Sequence, residues 1–354
     1  MPGSPDRITG PIAYNPCVLA RAAGWLDRAA FSPDTLPDDL VIGMALAPSV
    51  IAGLIIFKLA ALEMLVVALI VGITAEVAFR VGFRNFIPKP EASPLIAAIV
   101  GVALVGPGAP LVISIEIAVL AVVLEVLRAR FAPAVHAQPG LIAYACIALV
   151  TRGAPFSYLN PASGKPFAEP IAVWWRFFGP GSAPIDPVRL YVGNVPGPVF
   201  ATSLMAVVVG VAWLAYARRL SPVVTLGFLL GAIVPIALFH WDFLFQLDSG
   251  PTWFVGALIL SDRRLLPGSW AIRPILGFAA GFVAIGLRNR GYGIEAAFFT
   301  IAALQAFMAL VVVLVWTVSG TSRRRERGKR LRRREAQLRA INRTEEPADP
   351  SAVA

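Results

Sequence analysis

Charge is scarce in this sequence. Asp, Glu, Lys and Arg make up only 15% of 354 residues, where soluble domains carry about a quarter. A soluble chain of this length would keep much polar surface, whereas lipid-facing helices need none. The shortage therefore excludes a pair of ordinary soluble domains and favours one compact membrane domain. Two cysteines, Cys17 and Cys146, have no CxxC spacing and exclude a disulfide framework. Two histidines, His136 and His240, are too few for a His-rich metal site, and no metal is expected. The first residues lack an apolar core preceded by basic residues, so the first membrane helix is expected to be the targeting signal. No GxGxxG, P-loop, HExxH or GxSxG pattern stands in its required context, which excludes a self-contained soluble enzyme of those classes.

Long apolar runs are what the chain does have. Hydrophobic residues reach 57% and mean hydropathy is +0.73. A spanning helix needs about 20 apolar residues. Candidate segments are 41–57, 60–79, a short 94–105, 111–127 and 140–150, then 199–216, 222–239, a short 251–260, 272–287 and 294–318. The third segment of each half is short and follows a polar proline step, Ser93-Pro94 or Gly250-Pro251. Matched short segments point to an internal repeat around a central site. Five crossings per half would make that repeat inverted. The expected fold is thus an all-α polytopic membrane protein of about ten helices in two five-helix inverted repeats. Its parts are an N-terminal segment 1–40, a first repeat 41–150, a polar loop 151–196, a second repeat 197–318 and a basic tail 319–354.

Lys and Arg in the loops set orientation. Arg80, Arg84, Lys89, Arg128, Arg130, Arg218, Arg219, Arg263 and Arg264 fall on one side of a ten-crossing chain, with Arg288 and Arg290 as exceptions. Both termini are then cytoplasmic, the membrane is the cell inner or plasma membrane, and the loop 151–196 lies outside. The net charge is +10, and the stretch 323–334 alone holds nine basic residues and one Glu. Next to a membrane helix this run reads as contact with anionic lipid headgroups; nucleic acid shares the charge signature but not the position, and is not expected.

Ionisable groups inside spans are costly and usually mark a pathway. Glu63, Glu76 and Glu116 are the candidates for an ion or substrate path, with Glu116 the deepest. Glu125 has Arg128 three residues on, and a helical ion pair explains it. Gly193-Asn194-Val195-Pro196-Gly197-Pro198 leads to Thr202 and Ser203 at a helix start. Free N–H groups there suit a phosphate, while hydroxyls bonded to preceding carbonyls explain the same residues without a ligand. Asp262 has three readings: a cap, a partner for a neighbouring Arg, or a cavity residue.

The order of these motifs resembles the NqrB/RnfD family, the membrane subunits of sodium-translocating NADH:quinone reductase and of the Rnf electron-transport complex. Four stretches carry the resemblance: Ala45-Leu46-Ala47-Pro48 with Glu76; Gly193 to Gly197 leading to Thr202-Ser203-Leu204; Gly256 to Asp262 ending in Pro267; and Gly277 to Gly291 with Tyr292 and Ala296-Ala297-Phe298. Together they span about 40–318. The resemblance implies a urea-transporter-like fold of two inverted repeats, partner membrane subunits, and FMN joined to a threonine in a Ser-Gly-Ala-Thr motif. Here that motif reads Ser163-Gly164-Lys165-Pro166. Proline has no hydroxyl to esterify, so the implied flavin is a non-covalent FMN or riboflavin. Its expected contacts are Ser163, Gly164, Lys165, Gly193, Gly197, Thr202, Ser203 and Asp262, with Lys165 meeting a phosphate by charge and Trp174 and Trp175 offering stacking surface. The asparagine-proline loop of the family is replaced by 134–139, and its acidic residue before Thr202 by Ala201.

Three functional readings stand at this point. The first is a redox subunit with non-covalent flavin, possible ion coupling and a redox partner. The second is a flavin-free transporter or channel on the same fold, since fold alone does not fix function. The third is an anchor that assembles other subunits.

Overall fold

The computed structural model describes residues 33, 36–81, 93–132, 135–178, 185–266 and 269–315. Arg84, Lys89, Pro267, Cys17 and the basic run 323–334 lie outside them. Helices make the described fold: α1 (Asp38–Val81), α2 (Pro94–Ala103), α3 (Leu111–Phe131), α4 (Pro139–Val150), α5 (Pro170–Phe177), α6 (Pro187–Val192), α7 (Leu204–Tyr216), α8 (Pro222–Leu238), α9 (Phe243–Leu247), α10 (Gly250–Ile259), α11 (Ile272–Gly286) and α12 (Glu295–Val315). Among the described residues the β-type pairing consists of two isolated bridges, Leu159–Pro166 and Leu220–Asp262.

Two helical stretches, Asp38–Phe79 and Glu295–Val315, are long and apolar enough to cross a membrane. The first is a hairpin. Lys58 breaks α1 with φ 51° and ψ −117°. A straight α1 would put Gly43 and Gly72 roughly 40 Å apart, yet they pack against the adjacent residues Ile96 and Leu95. Ser93 closes the pair, donating to Glu76 at 3.1 Å and lying against Asp39. The two arms, 38–57 and 59–81, match the separate segments expected from the sequence. The outward faces carry Ile55, Leu59, Ile70, Phe131 and Val150, between 61% and 79% exposed. Large apolar side chains exposed to this degree suit hydrocarbon and not water.

Segment seven-to-ten boundaries and the short segments follow the apolar runs closely, but the expected helix 199–216 is corrected. It begins at Leu204, with Ser203 as its N-cap, because the backbone N–H groups of 199 and 200 bond outside it. The unwound approach instead donates from the Val199 and Phe200 N–H groups to the carbonyls of Val105 (2.8 Å) and Ala103 (3.1 Å). Those bonds satisfy carbonyls at the end of α2 that have no partner within the helix. The last six residues of α10, Phe254–Ile259, are wound as a π-helix.

Helices α8 and α11 meet backbone to backbone. A Cβ on Gly231 or Gly281 would fall 2.1 Å from the carbonyl oxygen of Phe278 or Phe228, and one on Gly227 or Gly277 would come within 2.7 Å of Pro274 or Val224. Two small-xxx-small stripes, 227–231 and 277–281, therefore face each other, the usual way for membrane helices to approach closely.

The described residues of 151–196 form a folded cap on one end of the bundle. Gly106 and Gly108 N–H groups donate to the Pro155 and Ser157 carbonyls at 2.8 and 2.9 Å. Helix α5 buries Ile171 and Trp174, and Trp174 packs edge-on against Trp241 at 5.2 Å.

Candidate functional site

Two polar clusters lie in the bundle, one at the end closed by the 151–196 cap and one at the Ser93 end. At the cap end, Glu169 is the N-cap of α5. Its carboxylate accepts from the Ile171 and Ala172 N–H groups, both at 2.7 Å, which satisfies orphan donors of the first turn. It is nonetheless almost fully buried. Glu295, the first residue of α12, accepts from the Tyr158 hydroxyl at 3.0 Å. The two carboxylates converge on Gly293: a Cβ there would sit 2.1 Å from Glu169 Oε1 and 2.7 Å from Glu295 Oε2. Only glycine leaves them room.

Arg288, 1% exposed, faces both carboxylates from the turn after α11. Its Nη1 donates to the Gln246 carbonyl (3.0 Å) and side-chain oxygen (2.7 Å), and its Nη2 to Thr252 Oγ1 (2.7 Å). Burial lowers its pKa to about 10 against the pull of Glu169 and Glu295, so it stays charged at neutral pH. Burial, then the neighbouring Glu295, pushes the Glu169 carboxyl up to about 8, against the backbone donors and Arg288. Burial and the surrounding carboxylates likewise raise the Tyr158 phenol.

Beside Glu169 lies a cavity of about 10 Å³, room for about one water. Pro196, Thr202, Asp248, Ser249 and Gly250 share its wall. Here the structure draws together one group of the residues singled out in the sequence. Gly193 is the left-handed cap of α6 (φ 91°), where a Cβ would strike Ser203 at 2.6 Å; Gly197 lies against Thr202. The Thr202 hydroxyl donates to the Pro198 carbonyl, and Ser203 caps α7 by accepting from the Ala206 N–H at 3.3 Å. These glycines and hydroxyls are engaged in closing the turn, as the ligand-free reading of the motif has it.

The other candidates fall elsewhere. Ser163, Gly164 and Lys165 form an exposed turn in the cap, closed by Asn160 N–H to the Lys165 carbonyl at 2.9 Å. None of the three lines the cavity at Thr202. Trp174 is spent in the core rather than free to stack, while Trp175 stays exposed beside Gly291. Pro166 supplies no ester hydroxyl and the cavity takes about one water, so these residues do not fit a flavin as they stand. Glu63 and Glu116 lie on exposed helix faces instead of the bundle interior.

Asp262 belongs to the cluster at the Ser93 end. It caps the Arg264 N–H (3.0 Å) and pairs with the Arg264 guanidinium at 2.8 Å. Glu76 and Ser93 are here, with Asp38 paired to Arg219. Glu125 holds Arg128 with two bonds of 2.9 Å, the ion pair expected of it. Asp38, Arg128, His136, Gln138 and Arg264 line a cavity of about 370 Å³. Groups of three or more metal-ligating side chains are absent among the described residues.

Sequence reasoning passed over Glu169, Glu295 and Arg288. The available signal was Gly291-Tyr292-Gly293 directly before Glu295, a backbone kept bare of side chains where two carboxylates must meet.

The profile of the NQR2, RnfD, RnfE family matches residues 39–315. No curated protein matches the chain.

Proposed function

This chain belongs to the NQR2, RnfD, RnfE family, membrane subunits of electron-transport complexes, and we propose that within such a complex it couples electron transfer to ion movement. One observation supports the ion-coupling part. Helix α10 has ten residues, Gly250–Ile259, six of them π-wound, and so rises at most about 15 Å, half of a hydrocarbon core of about 30 Å. Gly250 lines the cavity beside Glu169, and at the far end Asp262 enters the cluster of Arg264 and Asp38. Helix α2, also ten residues, starts at Ser93 and ends where Val199 and Phe200 approach Thr202. Two short helices thus bring the polar clusters much closer together than the bilayer faces, the arrangement in which broken helices flank a site at membrane depth.

On this reading the chain lies in the cell membrane with both termini cytoplasmic, contacts anionic lipid through 323–334, and is built as two inverted five-helix repeats. FMN or riboflavin, where the complex carries it on this chain, is non-covalent. The missing hydroxyl at position 166 favours a second reading, a flavin-free transporter on the same fold.

The test uses membrane vesicles from cells with and without the chain, following NADH-driven ion uptake. Uptake that is lost with the chain and restored by its expression supports the reading. Unchanged uptake, or solute flux through the chain with no electron donor, overturns it.

A further inference from the structure

Glu169 and Arg288 are buried and Glu295 is half-buried beside them, two acids and one base whose carboxylates converge on Gly293. With both carboxyls ionised the cluster holds one uncompensated negative charge. An isolated buried charge is far more costly than a neutral group, and in practice such a site takes up a proton. Arg288 is not within ion-pair distance of either carboxylate; its hydrogen bonds go to Gln246 and Thr252. A second observation points to the same ligand. The Tyr144 hydroxyl, fully buried and without a hydrogen-bond partner, faces Tyr158 and Glu295 from α4.

We propose that Glu169 and Glu295 form a binding site for one shared proton, neutralised by Arg288 and exchanged with the aqueous side through the cavity at Asp248. The site deepens the ion-coupling reading and rests on it for its role, though the proton itself can be observed without any redox partner.

Each neighbouring element contributes to the balance. Glu169 comes from the start of α5, Glu295 from α12, Arg288 from the turn after α11, Tyr158 from the cap and Tyr144 from α4. Asp248, half-buried after α9, shares the cavity wall with Glu169. A water in that cavity would touch Glu169 and Asp248, so the proton moves between the Glu169 carboxyl and water with no bond made or broken beyond O–H. Like charges this close cannot both ionise cheaply, and one proton on two carboxyls makes the cluster neutral.

The test is infrared spectroscopy of the detergent-purified full chain across pH, in wild type, E169Q and E295Q. In the wild type a protonated-carboxyl C=O band should shift in D2O and vanish as pH rises through about 8, the value to which Glu169 is pushed. Each glutamine variant should lose that band, because the single remaining carboxyl then balances Arg288 as an anion. A band lost in only one variant would place the proton on one residue and overturn the sharing. A wild type without the band, or a band that survives in both variants, would overturn the site; the wild-type reading stands even where a variant fails to fold. NADH-driven ion uptake that is unchanged without the chain, beside an intact shared band, would instead count against the electron-transport reading alone.

Discussion

Replacing Arg288 with Met should cost about 3–5 kcal/mol, the range for breaking a buried charged network, and should sharply reduce the folded protein recovered from membranes. The guanidinium donates to Gln246 twice and to Thr252 once, tying α9 to α10 just ahead of the cavity. Without it, those acceptors lose their donors at a depth where water does not replace them. The same substitution removes the positive charge facing Glu169 and Glu295. The two contributions separate by rescue. Adding E295Q to R288M restores the charge balance and should recover part of the thermal stability in detergent, while the Gln246 and Thr252 contribution stays lost. A single R288M variant that unfolds at the wild-type temperature would show that the cluster does not hold the cap end together.

Gly281→Val should be about as damaging, by sterics alone. Its Cβ would stand 2.1 Å from the Phe228 carbonyl oxygen, a backbone atom that cannot rotate away. Overpacking usually costs about 1–3 kcal/mol, and this clash belongs at or beyond the upper end. Helix α11 would have to move off α8, and with it the Arg288 turn that follows. Gly286→Ala provides the contrast: no atom lies within 4 Å of its Cβ position, so its melting temperature should hold or rise. Thermal unfolding of both variants in detergent checks the pair; similar losses in the two would argue against the close α8–α11 approach.

Much of the helix order was legible in the sequence, because runs of apolar residues broken by Pro, Gly and charge leave few alternatives in lipid. Lys58 is visible as a polar interruption between two such runs, and the structure turns there. The short segments at Pro94 and Pro251 were legible for the same reason. Charge was read less well. Glu63 and Glu116 drew attention as acids within apolar runs, yet both are exposed. Glu63 stands five residues past the Lys58 turn and Glu116 five past the start of α3, near enough to helix ends for a side chain to reach toward the interface. Glu169, in contrast, sits in a polar loop that reads as solvated, and only the folding of that loop onto α12 buries it. Glu295 and Arg288 flank a glycine turn and read as interfacial. Burial of this kind depends on which segments meet, and the local pattern holds no record of it. The facing glycine stripes show the same limit: each stripe is visible alone, while its partner is not. At Thr202 and Ser203 the reverse holds, since local chemistry named both the phosphate site and the closed turn, and the hydroxyl geometry matches the turn.

The chain is expected to work inside an electron-transport assembly. Tagged protein, extracted from its own cell membranes in mild detergent, should bring partner membrane subunits whose visible spectrum shows redox cofactors bleached by reductant. After acid precipitation any flavin should remain in the supernatant, since Pro166 offers no ester linkage. A chain that purifies alone and colourless, and that carries solute across proteoliposome membranes without a donor, would contradict the account.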